Sequence, residues 1–100
     1  KQLIMKPEPV KGLDFVNADY HSIHGMIKSN WKKAGKVFNW NITIPANSSA
    51  VIYIPATAVT DVVESGKKTS IADGVKFIRM EKGRAVFEIG SGSYSFKSIM

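Results

Sequence analysis

From Phe38 to Ile44 the chain reads FNWNITI, with Phe38, Trp40, Ile42 and Ile44 on one parity and Asn39, Asn41 and Thr43 on the other. Successive side chains of an extended strand point to opposite faces, so this alternation demands a strand with one dry and one wet face. AVIYI, from Ala50 to Ile54, is β-branched and aromatic with no polar parity, which predicts a more completely buried strand. Between them PANSS supplies a proline that presets φ and an asparagine that tolerates left-handed backbone. The pattern predicts a hairpin pairing Lys36–Ile44 with Ser49–Ile54 around Pro45 to Ser48.

Strand signals recur along the chain. DFVNADY reads as one strand. YHSIHGMIKSNW reads as a second, with Ile23, Gly25, Ile27 and Trp31 on one parity, and KKAGK turns it into the Phe38 strand. GVKFIRM and RAVFEIG are two strands joined by EKG, a short loop ending in glycine. SYSFKSI puts Tyr94, Phe96 and Ser98 on one side. ATAVTDVVESGKKTSIADG is open: Asp61 with Glu64 resembles a helix N-cap pair, while Val59, Val62 and Val63 fit a short strand ending at Ser65–Gly66. Seven to eight strands with turns every eight to twelve residues make an all-β, antiparallel sandwich, because a single sheet would leave an apolar face wet. One hundred residues form one domain, 1–100, large enough to bury roughly two-thirds of its unfolded surface.

Composition narrows the function classes. The net charge is +6, but the fourteen Lys and Arg are spread along the chain. Spread charge supports solubility as well as phosphate contact. KFIRM is a poor version of the interleaved aromatic and basic surface that single-stranded nucleic acid requires. No cysteine is present, which excludes disulfides and thiolate metal sites and fits a bacterial cytoplasm or periplasm equally. No stretch approaches the roughly 20 apolar residues of a membrane span. The chain starts KQLIMKPEPV, without methionine and without a signal-peptide pattern, and reads as a piece of something longer.

Catalytic patterns are absent from the residues. The eight carboxylates, Glu8, Asp14, Asp19, Asp61, Glu64, Asp73, Glu81 and Glu88, mostly fall at turns or strand ends. A glycosidase pair needs two of them about 5 to 9 Å apart across a cleft. His21 and His24 are three apart, on opposite faces of a strand, and cannot share a metal. Gly90 and Gly92 lead into a strand, whereas a phosphate loop opens a helix. Asn41 and Asn47 match the glycosylation pattern, which matters only in a eukaryotic secretory pathway. No catalytic, cofactor-binding or metal residue is assigned. Trp31 and Trp40 share their parity with isoleucines and belong to the core, while Tyr20 and Tyr53 are free to face solvent. These two tyrosines are the candidate carbohydrate contacts.

The chain also carries five landmarks in order: Pro7 and Pro9; Ser22, Gly25, Ile27 and Trp31; IPANSSAVIYIPA from Ile44 to Ala56; ESGK from Glu64 to Lys67; and SGSYSF from Ser91 to Phe96. Together they resemble the C-terminal domain of bacterial alpha-L-rhamnosidases. One departure is His24, where the family favours an aromatic before the glycine. The resemblance implies an accessory β-sandwich in an enzyme that releases terminal alpha-L-rhamnose from glycosides with inversion. It implies that residues 1–12 lead in from a preceding catalytic domain, an (α/α) barrel that holds the acid and the base and on which this domain packs. No family catalytic residue has a counterpart here. An autonomous carbohydrate-binding module is the competing expectation.

Overall fold

The computed structural model describes residues 2–7, 15–22 and 25–100. Its strands are β1 (Gln2–Met5), β2 (Phe15–Ser22), β3 (Gly25–Ala34), β4 (Val37–Ile44), β5 (Ser49–Pro55), β6 (Val63–Glu64), β7 (Lys67–Lys68), β8 (Val75–Glu81), β9 (Arg84–Ile89) and β10 (Gly92–Ile99). Eight of these ten described strands span four residues or more, and β6 with β7 is a two-residue clip. They build two sheets, ordered β1-β5-β9-β8 and β2-β3-β4-β10-β6-β7. The chain is the all-β sandwich that its alternation predicts. All pairings are antiparallel except β1 with β5, which is parallel.

The core follows parity. Phe38, Trp40, Ile42 and Ile44 of β4 are buried, and Asn39 and Asn41 are exposed. Tyr94, Phe96 and Ser98 of β10 turn inward, as expected. The facing layer contributes Ile52 and Ile54 from β5 and Phe87 and Ile89 from β9 to the same cluster. Phe87 stacks on Phe96 across the layers at 6.2 Å, and Ser98 Oγ donates a 2.6 Å hydrogen bond to the Pro55 carbonyl opposite.

The expected hairpin around Pro45 does not form. β4 lies between β3 and β10, and β5 between β1 and β9, so residues 45–48 carry the chain from one layer to the other. Alternation specifies which face a strand buries, not which strand it pairs with. Crossing layers brings the two isoleucine faces into opposition; a hairpin would set them side by side on one face. Pro45 has no N–H with which to extend the ladder, and Asn47 takes φ 62° in the crossing. β5 is also less buried than expected. It alternates, with Val51 and Tyr53 half-buried on the outer face.

The stretch from Tyr20 to Trp31 is two strands rather than one. Ser22 pairs with Gly25 and Tyr20 with Ile27, so the chain reverses between β2 and β3. The paired residues have opposite sequence parity, so the phase of the alternation shifts across the reversal, and a parity carried straight through misses it. KKAGK turns as expected, with Ala34 opposite Val37. β8 and β9 form the expected hairpin through Lys82 and Gly83, both at positive φ. In the open stretch, both readings are partly met. A 3-10 turn at Val59–Asp61 precedes β6, but Asp61 ends that turn and caps nothing. A second 3-10 turn, Thr69–Ile71, follows β7.

Candidate functional site

Tyr53 is the centre of the one aromatic and charged cluster on the outer face of the four-stranded sheet. Across that face Tyr53, Val86 and Arg79 stand in register on β5, β9 and β8. The Arg79 guanidinium reaches over Val86, and its Nη2 donates to Tyr53 Oη at 3.3 Å. Val86 points outward and yet has no solvent exposure; the Arg79–Tyr53 strap supplies its cover. The Glu81 carboxylate accepts from Arg79 Nε at 3.0 Å and, chiefly through that hydrogen bond, raises the guanidinium above its ordinary value. The Lys6 ammonium lies 5.2 Å from the centre of the Tyr53 ring. That is within cation–π range.

Tyr53 is therefore half-buried and engaged at both hydroxyl and ring, where sequence parity predicts a free surface aromatic. The signal for this was Arg79, two strands away on β8, and Lys6, just past the neighbouring β1, and no local pattern reports partners so far along the chain. Tyr20 stands opposite Ile27 in the β2–β3 ladder, and its side chain lies outside the described residues, as do His24, Glu8 and Asp14. The structure thus places Tyr20 and Tyr53 in different sheets.

Among the described residues, the outer face of the six-stranded sheet is polar across the middle of β3, β4 and β10. Lys28, Thr43 and Ser93 form one row across β3, β4 and β10, and Asn30, Asn41 and Ser95 the next. They line a shallow recess of about 360 Å³. Thr43 and Ser93 share a 3.2 Å hydroxyl contact. Such rows offer hydrogen bonds and no aromatic plane on which a sugar could stack.

Trp31, Trp40 and Tyr94 serve the interior. Trp31 and Trp40 are buried, as their parity predicts, and Trp40 Nε1 donates to Ser29 Oγ at 3.0 Å. Tyr94 is buried against Phe96 and donates to the Gly90 carbonyl at 2.9 Å. Burial first, then the Glu64 carboxylate, raises the Tyr94 phenol above its ordinary value. Glu64 Oε2 accepts from Ser95 N at 3.0 Å and from the Ser65 hydroxyl, which ties β6 to β10. Glu81 is held by Arg79 on the other layer. Among the described residues no three His, Cys, Asp or Glu gather as a metal site.

A family model described as the bacterial alpha-L-rhamnosidase C-terminal domain matches residues 1–69. An alpha-L-rhamnosidase of Streptomyces avermitilis is 32% identical over 96 residues, which is 96% of this chain and 8% of that protein. The crystal structure of a Streptomyces avermitilis alpha-L-rhamnosidase complexed with L-rhamnose aligns with a TM-score of 0.83 at 30% identity, covering 96% of this chain and 9% of the other. The alpha-L-rhamnosidase from Dictyoglumus thermophilum aligns with a TM-score of 0.82 at 27% identity, covering 99% of this chain and 11% of that one. The chain spans roughly a tenth of the length of these relatives.

Proposed function

Because this chain belongs to the family of bacterial alpha-L-rhamnosidase C-terminal domains, we propose that it is a non-catalytic module of such an enzyme, packed on and stabilising an (α/α) barrel that carries the chemistry. The whole enzyme would release terminal alpha-L-rhamnose from glycosides by inversion, and residues 1–12 would lead in from the catalytic domain. The observation that carries the reading is the extent of the match: nearly all of this chain aligns with about a tenth of an alpha-L-rhamnosidase. Glu64 and Glu81 fit it, since each is tied to a neighbour and they lie in different layers. Inversion requires an acid and a base facing each other across a substrate.

Tyr20 and Tyr53 enter this proposal as sugar contacts of minor weight. A sugar stacking on Tyr53 would first have to displace the Lys6 ammonium. Binding of free rhamnose is therefore expected no tighter than millimolar, about 4 kcal/mol. The test is to assay the 100-residue chain on a chromogenic alpha-L-rhamnoside and to titrate it with rhamnose by calorimetry. No turnover and no heat below millimolar sugar are expected. Turnover lost on changing one carboxylate here would overturn the reading, and micromolar binding lost in Tyr53→Ala would establish a carbohydrate-binding module instead.

A further inference from the structure

The sandwich is not closed along β8. Among the described residues, the other layer offers opposite this edge strand only the β6–β7 clip and the two 3-10 turns, too little backbone to cover a seven-residue strand. Phe77 and Met80 pair with the inward residues Phe87 and Ala85, so their side chains belong to the core face, yet they are 41% and 39% exposed. Ile78 sits in the bulge between Phe77 and Arg79 and is 41% exposed, and Ile71 of the adjoining 3-10 turn is 68% exposed. Beside Phe77 a recess of about 520 Å³ opens, lined also by Val59, Val62 and Val75. Among the described residues the far edge of β8 has no neighbouring strand. An open ladder beside exposed apolar side chains is a surface that natural sheets normally cover.

We propose that β8 with Ile71 is the face by which this domain docks on the rest of the rhamnosidase polypeptide. This rests on the module reading above, and adds which surface makes the contact and what it contacts. The occupant is the neighbouring domain rather than a second copy, because the relatives are about ten times as long as this chain. A tethered neighbour is present at an effective concentration of about a millimolar, far above that of free copies. The cations Lys68, Lys76 and Lys82 border the patch, so the partner surface is an apolar ridge or extended segment flanked by carboxylates. Such a segment can add to β8 as a further strand while its side chains fill the recess.

Hydrogen exchange on the full-length gene product and on the 100-residue chain tests this. Amides of Lys76 to Met80 are expected to exchange at least tenfold more slowly in the full-length protein. Ile71→Asp in the full-length protein should restore fast exchange there, and Ile4→Asp, at the 74% exposed residue on the opposite edge, should not. Protection confined to β1 or to the outer six-stranded face would overturn this docking surface and leave the module reading standing. Protection nowhere would overturn both. Protection of β8 in the short chain that grows with its concentration would assign the face to a second copy. The two wild-type samples decide the matter even where a variant fails to fold.

Discussion

Trp40 shows how much one side chain carries in a domain of this size. It is 1% exposed, packs edge-on to Phe38 at 6.0 Å and spends its indole N–H on Ser29. Trp40→Ala is expected to cost about 3–5 kcal/mol, measured by denaturant unfolding, against a total of about 5–15 kcal/mol. Tyr94 is the titrating counterpart. Its hydroxyl reaches the Gly90 carbonyl through space that Gly74 leaves open, since a Cβ on Gly74 would stand 2.7 Å from it. The folded state holds the phenol's proton more tightly than the unfolded chain does. The stability this contributes is present below the unfolded value of about 10 and is lost as pH rises through the folded value. Wild type should therefore exceed Tyr94→Phe by about 1 kcal/mol at neutral pH, and the difference should shrink above pH ~10. A difference unchanged to pH ~11, read by urea unfolding at each pH, would contradict the assignment.

At the scale of elements, the pairing of β4 is the informative case. Its faces were legible in the alternation, down to the burial of each isoleucine, but its partner was not. Asn41 faces Ser95 of β10 directly, and Ile52 of β5, its partner in the expected hairpin, is buried in the opposite layer. Paired residues of antiparallel strands lie about 4.5–5.5 Å apart, within disulfide reach, and the chain has no cysteine to interfere. Asn41→Cys with Ser95→Cys should cross-link on mild oxidation, and Asn41→Cys with Ile52→Cys, which the expected hairpin would set opposite each other, should stay reduced. The reverse result, read on a non-reducing gel, would restore the hairpin. β2 with β3 gives the same lesson from the other side, since the reversal shifts the phase of the alternation and only the pairing shows it.

For the whole molecule, one buried cluster spans both layers, with β4 and β10 on one side and β5 and β9 on the other. Neither sheet has a core of its own, so the layers should unfold together. Far-ultraviolet circular dichroism and tryptophan fluorescence are expected to trace one coincident urea transition; two separated midpoints would mean that a sheet persists alone. What the sequence determined by itself was the strand character of β4, β8, β9 and β10, the face that β4 and β10 bury, and the family, because each is written in neighbours a few positions apart. Which strands pair, how Tyr53 is strapped under Arg79 and where β8 is left uncovered were decided only by the tertiary structure. Those contacts join residues 26 or more positions apart, such as Tyr53 with Arg79 and Ser98 with Pro55. A local pattern holds no record of which distant strand will be brought alongside, because that is settled by which packing of the two layers buries both apolar faces at once.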